Sequence, residues 1–130
     1  MIVVDASALL EVVLRTPNAD VVQSRLSRPD ATLHAPHLID TEVAQVVRRY
    51  AREGSIDHQR GWLAVERFRT LPLIRYPHTN LLPRIWALRA NLTAYDAAYV
   101  ALAEALDAPL VTRDRRLAAS PGHSARIELV

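Results

Sequence analysis

The chain has no cysteine and no lysine, only three glycines and one phenylalanine. Without cysteine there is no disulfide and no thiolate metal site, and the composition suits a reducing compartment. Without lysine, all 16 basic residues are arginine, whose planar donors suit bidentate contacts to phosphate. No basic start is followed by an apolar run, and no stretch approaches membrane-spanning length, so a soluble cytoplasmic protein is expected. There is no internal repeat, low-complexity tract or long linker, and the five histidines show no ligand spacing. What is present is a chain of 130 residues, half of them hydrophobic, which is the size of one domain with its own core. The net charge of +2 is small despite a pI near 9.5, so the distribution of charge matters more than its sum.

Short β-branched runs alternate with helical patterns. Ile2-Val3-Val4 reads as a strand ending in Asp5, and Ala6 to Leu10 as the start of a helix that Pro17-Asn18 breaks. Asn18 is placed to cap a second helix through Leu26, and Ser27 to Asp30 form a turn. A strand at 31–35 follows. Pro36 opens the next helix, Gly54-Ser55 end it, and Asp57 starts another through Leu71, with a mixed face of Trp62, Val65, Phe68 and Arg69. A strand is expected over 73–76, a helix over 80–91 with Pro83 near its start, and an alanine-rich helix over 93–106. The strand 109–112, a short helix over 115–119 and a last strand over 127–130 complete the chain. This alternation implies an α/β fold with a mainly parallel sheet.

Four carboxylates fall where such a fold brings them together: Asp5, Glu42, Asp96 and Asp114. Asp5 follows the first strand, and Asp114 follows Leu110-Val111-Thr112 in the same way; the ligand crevice of an open α/β sheet lies beyond those strand ends. Ile39, Val43, Val46, Val47 and Tyr50 form one helical face with Glu42 on its border and Arg48 and Arg52 opposite, a solvated pair. Asp96 lies in the first turn of a helix whose only other charge is Glu104. At about 5 Å and an effective dielectric of about 20, each pair of such carboxylates repels by roughly 3 kcal/mol, so the group must take up protons or a cation. An all-oxygen set suits Mg²⁺ or Mn²⁺ rather than zinc.

Taken singly, each acid also has a structural use. Asp5 and Asp114 are preferred N-cap residues, Asp96 with Thr93 resembles a capping box, and Glu42 has Arg49 or Arg15 as a possible ion-pair partner. Their joint placement, in this order, favours the metal site. Asp40 competes with Glu42 from the opposite border of the apolar stripe.

The segments that carry these acids, Ile2 to Leu9, Thr41-Glu42-Val43, Thr93 to Ala103 and Leu110 to Leu117, resemble those of PIN domains. More narrowly they are similar to the toxin ribonucleases of VapBC toxin–antitoxin systems, and the resemblance covers the whole chain, residues 1–130. It implies a three-layer α/β/α domain and a metal-dependent endoribonuclease. Asp5, Glu42, Asp96 and Asp114 would be its acidic metal-site residues, with the hydroxyls of Ser7 and Thr112 in support; both hydroxyls are also ordinary turn residues. In that chemistry Mg²⁺ or Mn²⁺, as one ion or two, activates water for in-line attack on a phosphodiester. Arg113, Arg115 and Arg116 flank Asp114 and are placed to guide RNA phosphates, or to form a solvated turn. The resemblance further implies a homodimer held inactive by a cognate VapB-type antitoxin. Leu9, Leu10, Val13 and Leu14 beside Ile39 and Val43 are candidates for an apolar groove that takes a partner helix, although burial in the core is the expectation for most of them.

Other carboxylate-rich folds fit less well. A phosphoacceptor receiver domain wants an early acid pair and a lysine after its last strand, and there is no lysine. A haloacid-dehalogenase-type phosphatase wants an aspartate two residues after the first, where Ser7 stands. A PIN-like module that binds RNA or protein without cleaving remains the alternative to the enzyme. No motif names the RNA, because RNA is recognised by shape and exposed bases.

Overall fold

Strand β1 (Ile2–Val4) is buried at every residue, as is β4 (Leu110–Thr112), the pattern of strands covered on both faces. In the computed structural model, which describes all 130 residues, these two strands lie side by side and parallel, with Val3 opposite Leu110 and Val4 opposite Val111. The sheet has five strands in the order β3-β2-β1-β4-β5, and every pairing is parallel. Here β2 is Leu33–Pro36, β3 is Leu73–Tyr76 and β5 is Ile127–Leu129.

The helices are α1 (Ala6–Val13), α2 (Ala19–Leu26), α3 (Ile39–Arg52), α4 (His58–Thr70), α5 (Leu82–Ala87), α6 (Ala94–Leu106) and α7 (Arg115–Ala118). The connections from β1 to β2 and from β2 to β3 run in one direction along the sheet, whereas the connection from β3 to β4 runs back across it. Right-handed crossovers therefore put α1 to α4 on one face and α5 and α6 on the other. The packing agrees: α1 meets α2, α3 and α4, while α6 lies across β1, β2 and β4 with α5 against it. The alanines of α6 allow this close approach, since Ala97, Ala98, Ala101 and Ala103 are all buried. The strand order reverses at β1, so the switch point, and with it the crevice, lies beyond the carboxyl ends of β1 and β4.

Several boundaries differ from those read in the sequence. The second strand is Leu33–Pro36 rather than 31–35, and Pro36 closes it instead of opening α3. Proline is tolerated there because β1 pairs β2 only at Leu33 and His34, so its missing N–H is not needed on the β1 side, while Pro36 keeps its register with Tyr76 of β3. His34, buried in this inner strand, has both ring nitrogens occupied, by Thr32 Oγ1 at 2.7 Å and Tyr76 Oη at 2.8 Å. The helix expected over 80–91 is a 3-10 turn at Thr79–Leu81 followed by α5, which ends at Ala87. Asn18 occupies the N-cap of α2 but its side chain makes no capping bond. Asp57 does cap α4, accepting from Arg60 N at 2.7 Å, and Gly54, at φ +78, ends α3 in the left-handed region.

The orphan carbonyls at the end of α1 are met from α4: Arg67 donates to Val13 O and Arg60 to Leu14 O, each at 2.9 Å. This clamps the helix whose N-terminus carries Asp5. The groove proposed from Leu9, Leu10, Val13, Leu14, Ile39 and Val43 is core, because none of these residues is more than 9% exposed. No helix is long and apolar enough to cross a membrane.

Candidate active site

Asp5 stands at the N-cap of α1, in extended backbone, and its carboxylate is only 7% exposed as a residue. Its Oδ1 accepts from Ala8 N at 3.1 Å and Ser7 Oγ at 2.6 Å, and its Oδ2 accepts from Thr112 Oγ1 at 2.5 Å. The two hydroxyls also tie down the loop after β4, since Arg113 N donates to Ser7 Oγ and Asp114 N to Thr112 Oγ1, each at 2.9 Å. The capping role and the site position of Asp5 thus coexist. Asp114 shows the same duality: it caps α7, its Oδ1 accepting from Arg116 N at 2.9 Å and Leu117 N at 3.3 Å. For α6 the cap is Thr93, which accepts from Asp96 N at 3.2 Å, so the carboxylate of Asp96 is spared for other work.

Asp5, Glu42, Asp96 and Asp114 line one cavity, together with Ser7, Glu11, Arg49, Tyr50, Tyr99 and Arg113. The carboxylates feel one another. Burial, and then the charge of Asp114, push the Asp5 carboxyl above its ordinary range, against the lowering effect of its hydrogen bonds. Burial also raises Glu42, with Asp5 and Asp96 adding to the effect, and raises Asp96, with Asp114 adding and Arg116 opposing. Neither Asp5 nor Glu42 has an arginine or histidine ion-pair partner. Arg49 lies 4.0 Å from Glu53 instead, and Glu42 accepts from Tyr99 Oη at 2.6 Å, a partner the sequence did not suggest. The only signal for it was a tyrosine one turn beyond Asp96 in an alanine-rich helix.

The four acids and the Ser7 hydroxyl offer this cavity only oxygen donors, and Asp5 and Glu42 do so without an ion-pair partner, a donor set that suits a hard divalent ion. The acids ring the space rather than meet at a point, for no three of them stand at ion-holding distances from one another. They come from four separate elements around the one cavity.

A family model described as the PIN domain matches residues 2–122. The chain belongs to the PIN-domain family. Among its relatives, Ribonuclease VapC9 of Mycobacterium tuberculosis is 48% identical over 117 residues, covering 90% of this chain and 88% of that protein. Ribonuclease VapC12 of the same organism is 45% identical over 130 residues, covering all of this chain and 99% of the relative. These two place the PIN domain in the VapC group. The crystal structure of VapBC2 from Rickettsia felis, bound to a DNA fragment from its promoter, superposes with a TM-score of 0.72 at 15% identity. That match covers 99% of this chain and 98% of the other, and it establishes the shared fold.

Within the PIN domain the competing acid, Asp40, points elsewhere: it pairs with Arg75 at 2.7 Å and is absent from the cavity lining. The three arginines around Asp114 differ. Arg113 lines the cavity but is engaged, 3.4 Å from Glu11 and donating to the carbonyl of Val130. Arg116 is 80% exposed, 3.7 Å from Asp96 and 3.9 Å from Asp114, and Arg115 is exposed without an ion-pair partner.

Proposed function

We propose that this PIN domain is the toxin of a type II toxin–antitoxin system, a Mg²⁺- or Mn²⁺-dependent endoribonuclease that hydrolyses RNA phosphodiester bonds and is neutralised by a cognate VapB-type antitoxin. The single observation behind this reading is the ring of carboxylates at the switch point, with Asp5 buried and without a cation. It joins the names of the relatives, which are ribonucleases.

In this reading Asp5, Glu42, Asp96 and Asp114 hold the metal. A divalent ion bound there supplies Lewis-acid activation of water and neutralises charge on the phosphodiester. Ser7 and Thr112 fix both oxygens of Asp5, so that its orientation is set before any ligand arrives. Arg115 and Arg116, the freer cations at the rim, attract RNA phosphates, while Arg113, held by Glu11 and Val130, contributes a stationary positive charge. We take the domain to extend over residues 1–130, since β5 pairs with β4 as the edge strand of the same sheet, and the protein to act in the cytoplasm as a homodimer.

The test is incubation of purified, antitoxin-free protein with total cellular RNA and Mg²⁺ or Mn²⁺, against EDTA, with the ends mapped by sequencing. Discrete cuts that require the metal are expected. An intact RNA pool from folded, metal-loaded protein would overturn the enzyme reading in favour of a binding module.

The choice of Glu42 over Asp40 has its own test. Glu42→Gln is expected to lower cleavage about tenfold or more, the scale of losing a metal-site group. Asp40→Asn, which loosens a half-exposed ion pair, should stay within about twofold of wild type. The reverse ranking in a cleavage assay would transfer the role to Asp40.

A further inference from the structure

Tyr99 heads the fully buried side chains by volume, at 2% exposure, yet it also lines the carboxylate cavity. It stands three residues after Asp96 on α6, one turn along the same face, and its hydroxyl donates to Glu42 Oε1 on α3 at 2.6 Å. That is the only hydrogen bond made by the Glu42 side chain, whose Oε2 is left without a protein donor. Asp5, in contrast, is fixed by Ala8 N, Ser7 and Thr112 together. A glutamate has three rotatable side-chain bonds, and half-buried Glu42 has no other hydrogen bond or ion pair to select among its rotamers. The phenol ring is locked in the core, so its hydroxyl is a stationary donor.

We propose that Tyr99 is the positioning residue for Glu42: it fixes Oε1 so that the carboxylate presents Oε2 to a divalent cation, and it couples α6, which carries Asp96, to α3. This inference rests on the metal-site reading above. Tyr99 itself touches neither metal nor RNA in this role; it acts through Glu42, as outer-shell donors orient metal-binding carboxylates in general.

Tyr99→Phe removes the hydroxyl and keeps the ring that fills the core, so the variant retains the fold, checked by circular dichroism and melting. Mn²⁺ titration of the metal-free proteins by calorimetry is the primary readout. Tyr99→Phe is expected to raise the Mn²⁺ Kd about tenfold. In a Glu42→Ala background, the added Tyr99→Phe change should alter the Kd by less than about twofold, because the partner through which it acts is gone. RNA cleavage by the single variant should then lose kcat at saturating Mn²⁺ with KM for RNA unchanged. A Tyr99→Phe protein that binds Mn²⁺ as wild type does, or that loses the same affinity in both backgrounds, would overturn the inference alone. Wild-type protein that takes up no Mn²⁺ would overturn the metal reading and this inference with it.

Discussion

Asp96→Asn is expected to abolish metal-dependent RNA cleavage, a loss of about a hundredfold or more, while the variant melts cooperatively as a folded protein. The structure separates the two halves of this expectation. The cap of α6 is supplied by Thr93, whose hydroxyl bond to the Asp96 carboxylate is the smallest influence on that group, and its nearest cation is the exposed Arg116 at 3.7 Å. Neutralising Asp96 therefore takes away little that holds the helix. It also relieves repulsion, since burial and Asp114 already push this carboxyl above its ordinary range. What it removes, on the proposed reading, is one carboxylate of the ring that would hold the metal. The measurement is cleavage of a mapped RNA substrate at saturating Mn²⁺, with a thermal melt of the same preparation. Retained cleavage would remove Asp96 from the site; a variant that fails to fold would show that its role lies in holding α6.

The parts of the site that were legible in the sequence are those set by local chemistry. Asp5 and Asp114 each lie just beyond a short apolar run and precede a helix, and both indeed stand just past inner parallel strands and cap the next helix. Caps and the proposed metal-site positions make the same demand on sequence, an acid at a strand-to-helix junction, so one residue can serve both. Glu42 could be placed on the border of an amphipathic face because α3 keeps its period for 14 residues. The partners across the fold were not legible. Tyr99 and Glu42 are 57 positions apart, and Thr112 and Asp5 are 107 apart; only the sheet order brings them together. The resemblance supplied Thr112 as a supporting hydroxyl but offered nothing for Tyr99. The edges of β2 were misplaced for a related reason. His34 and Pro36 are poor strand residues, and their tolerance depends on Tyr76 from β3 and on the short reach of β1.

Asp5→Asn is expected to make the metal-free protein more stable at pH 8 and to erase its response to metal. Burial is the largest influence on the Asp5 carboxyl and raises it above its ordinary value of 3.8, so the folded protein holds this proton more tightly than the unfolded chain does. The stabilisation linked to that proton is fully present below 3.8 and is lost as pH rises through the folded value. Above that folded value the wild type carries a buried charge stabilised only by hydrogen bonds. Asparagine carries none, and its Oδ1 can still accept from Ala8 N and Ser7. The gain in melting temperature over wild type should thus be largest at pH 8 and shrink as the solution is acidified. Saturating Mn²⁺ should reverse the order: at a hundred times its Kd an ion stabilises the wild type by about 2.7 kcal/mol, or roughly 10 °C for a chain of this size, while the variant stays where it was. Melting curves of both proteins across pH, with EDTA and with Mn²⁺, decide the matter. Parallel pH profiles would mean that Asp5 is satisfied as a cap alone, and an unchanged Mn²⁺ response in Asp5→Asn would place the ion elsewhere.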